Sequence, residues 1–340
     1  MNIVFIVPPF KAPWSGKNKW VTVPPDGYGG IQWSIKNLMD GLIELNHKIT
    51  LLGAPGSKSN NLLVEVVNIG ELKDIEIWIK NNYNKYDLIH DHSCRGKEFP
   101  RKLFWGKAKK LHSHYLVTPP AERENVVAVS YAHAKSIGFP QAPVIRHPIN
   151  PSNYISNENK KDYFLFLGRI SPWKGPDMAA LFAEKLGVKL IIAGPAWEKD
   201  YLEYILSRFK GIVEYIGEVG GKDKLTLLSE ARATLVFSRS TKGPTNKMWV
   251  EPGAQVVAES AICGTPIIAS NNGCLPEIVP NIGVIVKDPS ILSTKQAKQI
   301  IENLPSPKNT YLFCYNQWNH KRIASQYVKL YKKVLKEEQW

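Results

Sequence analysis

Short apolar runs alternate with amphipathic stretches along the chain. From Ile31 to Ile43, for example, apolar residues recur at the spacing of a helix buried on one face. The apolar runs are of the kind found in buried parallel strands. They occupy residues 2–7, 48–53, 87–92, 163–167, 189–193, 212–216, 234–237, 265–270 and 284–286. Strands that alternate with helices predict an α/β protein with doubly wound parallel sheets.

A polar, turn-rich segment at residues 148–162 separates two such sets of strands and helices. The chain has 340 residues, which exceeds the size at which one hydrophobic core usually splits. We therefore predict two Rossmann-like domains, 1–150 and 151–314, joined at this segment. A last helical stripe follows in residues 315–340, with the apolar members Ile323, Tyr327, Leu330, Tyr331 and Val334.

The stretch 249–277 combines charged groups with helix and turn signals. The proline after Glu251 suits the first position of a helix, where its missing N–H would be unpaired anyway. We expect this helix to continue past Glu259 and to stop at Gly264. Free N–H groups at a helix N-terminus attract phosphate. The two glutamates, at most about 12 Å apart along a helix, can then reach a sugar on one side of a diphosphate and a ribose on the other.

Two further loops suit a diphosphate. Gly29 and Gly30 precede a helix, where bare backbone can approach a phosphate. Arg169 and Lys174 lie on the loop after strand 163–167, and they offer a forked donor and a point charge. Taken alone, each pattern is also that of a plain turn or of a solvated surface.

Histidines stand at the ends of two successive strands. Residues 87–92 end in His92, and the next strand closes with His112 and His114. Ligands gather at the carboxyl ends of strands in open parallel sheets. His92 is therefore a candidate site residue and His114 a weaker one, with a structural histidine as the alternative. No carboxylate or cysteine completes a ligand set nearby, so we predict no metal site.

Together these strings resemble the signature of the retaining, nucleotide-sugar-dependent glycosyltransferases of family 4, which adopt the GT-B fold. The family string E-P-F-G-L-V-V-L-E reads E-P-G-A-Q-V-V-A-E here, with Ala254 in place of the customary glycine. The family's G-R-x-x-x-x-K-G matches from Gly168 to Gly175. Its G-G-x-[EQ] string matches from Gly29, and its D-x-x-H-x-H string matches from Asp87. The resemblance covers nearly the whole chain.

The resemblance implies a role for each matched position. The residues expected to act in catalysis are His92, Glu251, Arg169 and Lys174. The expected donor-binding residues are Gly29, Gly30, Gly168, Val219, Gln255, Val256 and Glu259. On the acceptor side we expect Gln32 and His114. The family's GT-B fold also implies that the last helix crosses back to pack on the first domain.

One branch of this family is the most similar. It shares the strings V-P-P-x-G-Y-G-G-I-Q-W, C-G-T-P and N-G-C-L-x-E-I-V with this chain. The branch includes the eurekanate-attaching transferase of the avilamycin pathway. Acceptors diverge widely within the branch, so this likeness does not specify the acceptor.

The charge of the chain points to an acidic partner. The net charge is +14. Residues 95–110 hold seven Lys or Arg against one Glu, interleaved with Phe99, Leu103, Phe104 and Trp105. Two interpretations are open. The segment is an interfacial patch for an anionic membrane or an acidic acceptor, or it is a solvated loop whose aromatic side chains face the core.

Other signals narrow the class of protein. No apolar run approaches the roughly 18 residues of a transmembrane helix, and the start lacks the basic region of a signal peptide. The four cysteines form no C-x2-C pair, so we expect free thiols in the cytoplasm. A dinucleotide fingerprint fails because Gln32 stands where its third glycine would be.

The sequence therefore predicts a metal-independent transferase that moves a sugar from a UDP- or GDP-linked donor to a hydroxyl group with retention. We expect no cofactor besides this donor substrate. The acceptor is expected to be a saccharide, a lipid-linked compound or a small molecule. A GT-B sugar-nucleotide epimerase is the nearest alternative. A basic nucleic-acid or membrane-binding protein is less favoured, because binding by charge needs neither Glu251 nor Glu259. We expect no nucleic-acid partner.

Overall fold

The computed structural model describes residues 1–12, 19–93, 108–120, 124–243 and 246–340. These residues form two compact units, Met1–Asn150 with Asn319–Trp340, and Pro151–Trp318. We call them unit 1 and unit 2 and describe each by itself.

Within its described residues, unit 1 contains a six-stranded parallel sheet. Its strands are β1 (Asn2–Ile6), β2 (Lys48–Gly53), β3 (Val64–Asn68), β4 (Leu88–Asp91), β5 (Lys110–Ser113) and β6 (Val126–Val127). Two helices lie between these strands, α1 (Gly30–Glu44) and α2 (Leu72–Asn82), and α3 (Tyr131–Ser136) follows β6. The strand order β3-β2-β1-β4-β5-β6 is that of a Rossmann-like sheet, which reverses its winding between β1 and β4.

Unit 2 repeats this plan in the part of the chain that the structure describes. Its strands are β7 (Tyr163–Leu167), β8 (Lys189–Ala193), β9 (Val213–Tyr215), β10 (Ala233–Val236), β11 (Ile267–Ser270) and β12 (Gly283–Val286). Its helices are α4 (Pro176–Leu186), α5 (Lys199–Arg208), α6 (Gly221–Glu230), α7 (Gln255–Ile262), α8 (Leu275–Ile278), α9 (Thr294–Glu302) and α10 (Pro307–Trp318). The parallel order β9-β8-β7-β10-β11-β12 reverses its winding between β7 and β10. The predicted pair of doubly wound parallel sheets is confirmed.

Burial explains which strands the apolar pattern predicts. Central strands such as β10 and β11 are buried along their whole length, and they therefore read as continuous apolar runs. Strand β3 lies at the edge of its sheet and is only partly buried, with Glu65 and Asn68 exposed. Its mixed sequence does not stand out as an apolar run, so the apolar pattern does not predict this strand.

The last helix, α11 (His320–Leu335), belongs to unit 1 and packs on α1. Its buried face carries the predicted stripe, including Ile323 and Val334. Two tyrosine hydroxyls on this face reach the sheet: Tyr327 lies 2.9 Å from the Ser113 hydroxyl, and Tyr331 lies 2.7 Å from Nδ1 of His90. The expected return of the last helix to the first domain is confirmed.

The α1–α11 contact is close enough to require a glycine. A Cβ atom added at Gly41 would lie 2.3 Å from the carbonyl oxygen of His320. We predict that Gly41→Ala destabilises unit 1, because overpacking costs about 1–3 kcal/mol and exceeds the helix propensity gained, about 1 kcal/mol. Urea denaturation measures the difference. Gly70→Ala is the control, since a Cβ there meets no atom within 4 Å. Equal stability of the two variants would contradict this packing.

Candidate active site

The reversal of winding places polar residues at one edge of each sheet. Ligands of open α/β sheets bind beyond the carboxyl ends of the strands at such a reversal. In unit 2, Gly168 and Arg169 follow β7, and Ser238 follows β10 two residues after its end. In unit 1, His92 follows β4. The fold therefore brings predicted site residues to the edge where a ligand is expected.

Half-buried Lys174 and buried Glu251 form an ion pair in unit 2. The Lys174 Nζ lies 2.8 and 2.7 Å from the two carboxylate oxygens of Glu251, whose residue is 3% exposed. Ser238 Oγ donates to Oε2, and Trp249 Nε1 lies 3.2 Å from the same oxygen. Burial by itself raises the pKa of the Glu251 carboxyl, but Lys174 and then the two hydrogen bonds lower it below its ordinary value. Glu251 is thus held as a carboxylate.

The backbone around Glu251 is fixed by the turn after β11. The Asn272 side chain accepts from the Glu251 N–H at 2.9 Å and donates to the Trp249 carbonyl at 3.2 Å. The Cys274 N–H donates to the Glu251 carbonyl at 2.8 Å. Between them Gly273 has φ +56°, and a Cβ there would lie 2.2 Å from the Glu251 oxygen. Only glycine fits this close to the Glu251 backbone. The turn after β11 therefore fixes the position of Glu251.

The helix after Glu251 starts later than the sequence pattern predicts. Pro252 is not its first residue, because α7 begins at Gln255. The preceding residue, Ala254, adopts the left-handed conformation with φ 45° and ψ 66°. Glycine favours this conformation, and the family string has glycine at this position. Residues 251–254 lie in a loop outside the helix, and the prediction of a helical Pro252 is wrong.

Gln255, the first residue of α7, has a buried side chain and is 9% exposed. Both polar atoms of its amide are buried without a hydrogen-bond partner among the described residues. Its neighbour Val256 is half-buried. Buried amides are normally satisfied. The unsatisfied Gln255 amide at this helix N-terminus is therefore a candidate contact for a polar ligand.

Arg169 lies beside an aromatic ring that sequence reasoning did not single out. Its guanidinium carbon is 3.5 Å from the centroid of the Trp197 ring, within cation–π range. Gly168 packs on the loop after β8, where a Cβ at Gly194 would lie 1.9 Å from the Gly168 carbonyl oxygen. Val219, half-buried, lies in the turn that precedes α6.

The loop that carries Lys174 is held by Arg239. This side chain donates twice to the Pro172 carbonyl, from Nε at 2.9 Å and from Nη2 at 2.7 Å. It also pairs with Asp177 at 3.1 Å. At the end of the turn Gly175 has φ +68°, and a Cβ there would lie 2.1 Å from the Phe237 carbonyl oxygen. These contacts aim Lys174 at Glu251.

Glu259, near the middle of α7, has different partners from Glu251. Its Oε1 lies 2.7 Å from Lys224 Nζ and accepts from the Tyr154 hydroxyl at 3.1 Å. Glu259 is 4% exposed and Lys224 is 9% exposed. The two glutamates of the family string therefore each pair with a lysine.

In unit 1, Gly29 precedes the first turn of α1, which starts at Gly30. Gly29 is buried, and a Cβ there would lie 2.9 Å from Pro25 and 3.2 Å from the Gln32 side-chain oxygen. Within the described residues no side chain caps this helix N-terminus. The structure therefore places Gly29, Gly30 and Gln32 together at a helix start, as the sequence predicts.

His92 is buried beside aromatic rings at the end of β4. Its Nδ1 lies 2.8 Å from the Tyr115 hydroxyl, and its ring is stacked parallel to that of Tyr115. Its Nε2 is buried and has no hydrogen-bond partner among the described residues. Burial lowers the pKa of His92 to about 3, despite the opposite effect of Asp91. The imidazole is therefore neutral at neutral pH.

His114 is also a buried, neutral imidazole. Its Nε2 donates to the Thr118 carbonyl at 2.6 Å. Burial and the neighbouring His133 lower its pKa to about 3. Its neighbour on the strand, His112, pairs through Nδ1 with Asp91 at 2.8 Å. The histidines at this edge form one buried polar cluster.

Several side chains of this site escaped the sequence analysis: Ser238, Trp249 and Asn272 around Glu251, and Tyr154 and Lys224 around Glu259. Ser238 could have been found by the rule that selected His92, because it stands just beyond a strand at its carboxyl end. Lys224 gives no signal, since a lysine in an amphipathic helix normally faces solvent.

Some predictions fall outside the described residues. The basic and aromatic segment 95–110 is described only from Ala108 onward. In the described part of the chain, no group of three His, Cys, Asp or Glu residues could hold a metal ion. Of the helices among the described residues, none has the length and apolar character needed to cross a membrane.

Comparison with known proteins agrees with this geometry. A family model for glycosyl transferases group 1 matches residues 152–317. The crystal structure of AviGT4, a glycosyltransferase involved in avilamycin A biosynthesis, has a TM-score of 0.92 and 39% identity, over 100% of this chain and 99% of that chain. An uncharacterised glycosyltransferase of Methanocaldococcus jannaschii is 24% identical over 91% of this chain and 95% of its own length. HepE of Anabaena, in complex with UDP-glucose, shares the fold at a TM-score of 0.63 and 15% identity, over 97% and 98% of the two chains.

Two Rossmann-like parallel sheets with a returning last helix define a glycosyltransferase of the GT-B fold. The chain belongs to the glycosyl transferases group 1 family. The resemblance of its motifs to this family, and to the avilamycin branch within it, is confirmed.

The buried histidines make the stability of unit 1 dependent on pH. Burial lowers the pKa of His92 and His114 to about 3 and that of His133 to about 4. Below the ordinary histidine pKa of about 6.5, the unfolded chain binds protons that the folded state excludes. We predict that the free energy of unfolding falls between pH 6.5 and 4, by roughly 1 kcal/mol per pH unit for each of these histidines.

Urea denaturation at a series of pH values measures this slope. His92→Asn should reduce the slope of the free energy of unfolding against pH by the contribution of one proton, roughly 1 kcal/mol per pH unit. A flat profile between pH 6.5 and 4 would contradict the burial of these neutral imidazoles.

Proposed function

We propose that the protein transfers a sugar from a nucleotide-diphosphate donor to an acceptor hydroxyl group, with retention of the anomeric configuration and without a metal ion. The observation that carries this proposal is the Lys174–Glu251 ion pair. It lies at the ligand-binding edge of unit 2, next in sequence to a helix start whose Gln255 amide has no partner among the described residues. A cation, an anion and a polar helix end suit a phosphate with a sugar attached to it.

The diphosphate is assigned to Arg169, Lys174 and the first turn of α7. Arg169 offers a planar fork that matches phosphate oxygens, and Lys174 offers a compact charge with three donors. With three donors, Lys174 can keep its hydrogen bonds to Glu251 and also donate to a phosphate oxygen. When the bond to the sugar breaks, negative charge grows on the departing diphosphate. Preorganised donors stabilise that charge without further reorganisation.

The transferred sugar is assigned to Glu251. Its carboxylate already accepts from Lys174, Ser238 and Trp249. A carboxylate that accepts this many hydrogen bonds is a weak nucleophile, so we assign it to orienting sugar hydroxyls and stabilising positive charge on the ring. Retention then follows from departure and attack on the same face of the sugar, as the family resemblance implies.

His92 is assigned to the sugar and the acceptor as a hydrogen-bond partner. With a pKa of about 3, it carries no proton to give as an acid at neutral pH. Its buried Nε2 has no partner among the described residues and is free to bind a hydroxyl group. Gln32 and His114 are proposed on the acceptor side, and Gly29 and Gly30 beside the donor phosphate.

The base of the nucleotide is proposed to contact the turn at Val219, and the ribose is proposed to contact Glu259. HepE was solved with UDP and with UDP-glucose, so UDP-linked donors are the first choice and GDP-linked donors the second. The acceptor, as a saccharide, a lipid-linked compound or a small molecule, stays a prediction from sequence. A peripheral contact of residues 95–110 with an anionic membrane also stays a prediction.

The experiment that tests this function uses a panel of UDP- and GDP-sugars with the full-length protein. Donor binding should raise the melting temperature, since a ligand at 100 times its Kd adds about 2.7 kcal/mol. Hydrolysis or transfer of the selected donor, followed by NMR at early times, should give the same anomer as the donor. EDTA should leave the rate unchanged. An inverted anomer would refute retention, and a rate abolished by EDTA and restored by magnesium would refute the absence of a metal.

Arg169 and Lys174 should matter more for the rate than for donor affinity. We predict that Arg169→Ala and Lys174→Met each lower kcat by at least about 100-fold, the scale for loss of a preorganised donor to developing charge. Arg208→Ala, which removes a surface pair with Glu184 and a cation–π contact with Phe209, is the control and should leave kcat unchanged. Lys174→Met also strips the partner from buried Glu251. The double variant Lys174→Met/Glu251→Gln should therefore regain stability while staying inactive. A wild-type kcat in either single variant would contradict the assignment.

A further inference from the structure

Lys224 has no role in the proposed function, although it is a buried lysine that pairs with Glu259. It is the fourth residue of α6, and its side chain is 11% exposed, against 5% for the side chain of Glu259. Its Nζ lies 2.7 Å from Oε1 of Glu259. Removing a lysine from water costs free energy that a close ion pair only partly returns. A lysine at the surface would avoid this cost. The burial of Lys224 is therefore better explained by a role in the site than by a gain in stability.

The contacts around Glu259 are unequal on its two oxygens. Lys224 and the Tyr154 hydroxyl both donate to Oε1, at 2.7 and 3.1 Å. No described residue donates to Oε2. The two donors come from different elements, one from α6 and one from the segment that precedes β7. Both hydrogen bonds thus hold the carboxylate by Oε1 and leave Oε2 available to a ligand.

The charge of Lys224 also determines what Oε2 can do. Without a partner at Oε1 the carboxylate could rotate about its last side-chain bonds, and Oε2 would no longer point in one direction. An ionised acceptor forms the stronger kind of hydrogen bond with a hydroxyl group. The ion pair therefore makes Oε2 a directed acceptor for a sugar hydroxyl.

We propose that Lys224 is a positioning residue that fixes Glu259 so that its Oε2 accepts from the ribose hydroxyls, and that it thereby makes the donor site select ribonucleotides over deoxyribonucleotides. This inference rests on the proposed function, in which unit 2 binds a nucleotide-diphosphate sugar. Lys224 acts through Glu259 and does not itself touch the reacting atoms. Tyr154 supports the same oxygen and shares the role to a smaller degree.

Calorimetry with the full-length protein tests the inference. The probes are UDP and 2′,3′-dideoxy-UDP, or GDP and 2′,3′-dideoxy-GDP if the protein binds GDP better. The wild-type protein should prefer the ribonucleotide by at least about tenfold, the scale of one hydrogen bond to a charged group. In Lys224→Met this preference should fall to within about twofold of unity, with the affinity for the dideoxy compound unchanged. Lys224→Arg should restore most of the preference.

Two further variants separate positioning from folding. Lys222→Met removes an exposed lysine from the same helix, and it should keep the wild-type preference. Tyr154→Phe removes one hydroxyl and should lower the preference by an intermediate factor. If Lys224→Met does not fold, Tyr154→Phe decides the question, because it removes a hydrogen bond to the same oxygen and leaves Lys224 in place. A wild-type preference in Tyr154→Phe would then refute the role.

The remaining outcomes are also decisive. Equal weakening of both nucleotides in Lys224→Met would mean that Lys224 is only structural. A wild-type protein that binds UDP or GDP without preference over its dideoxy analogue would overturn the inference and leave the proposed function standing. A protein that binds neither UDP nor GDP would remove the proposed function, and the inference with it.

Discussion

The geometry of unit 2 depends on keeping one buried carboxylate ionised. An unpaired carboxylate in place of Glu251, at 3% exposure, would cost several kcal/mol, and removal of one partner from such a pair typically costs about 3–5 kcal/mol. Lys174, Ser238 and Trp249 surround that carboxylate, and Asn272 fixes its backbone. The arrangement that stabilises the fold here is thus the same arrangement that positions the charges of the site.

The need to keep Glu251 ionised also explains the position of the candidate site. The site lies beside β7 and β10, the two strands between which the winding of the sheet reverses. The loop after β7 supplies Lys174, and the residues beyond β10 supply Ser238. Only at the reversal do loops from neighbouring strands leave toward opposite faces and make room for a ligand between them. Glu259, the second glutamate of the family string, is likewise paired with a lysine, Lys224. In unit 2 each of the two glutamates is thus paired with a lysine.

Much of the fold could be predicted because central strands are apolar throughout and glycine or proline marks their ends. The edge strand β3, half exposed, lacks that signal. Motif residues such as Arg169 and Glu259 could be named because their spacing matches that of the family motifs. Their partners could not be named, since Tyr154 and Glu259 are 105 positions apart, and only the folded chain brings them together. The error at Pro252 has a local cause. Ala254 takes a left-handed conformation, which propensity does not predict for alanine, and the helix starts after it.

The central claim is that unit 2 binds a nucleoside diphosphate through Arg169, Lys174 and the start of α7. A crystal structure of the protein with UDP, at a concentration well above its measured Kd, tests this claim most directly. We expect phosphate oxygens within hydrogen-bond distance of both side chains and of a backbone N–H in the first turn of α7, with the ribose against Glu259. Density for UDP elsewhere, with the Lys174–Glu251 pair untouched and no ligand at α7, would contradict it.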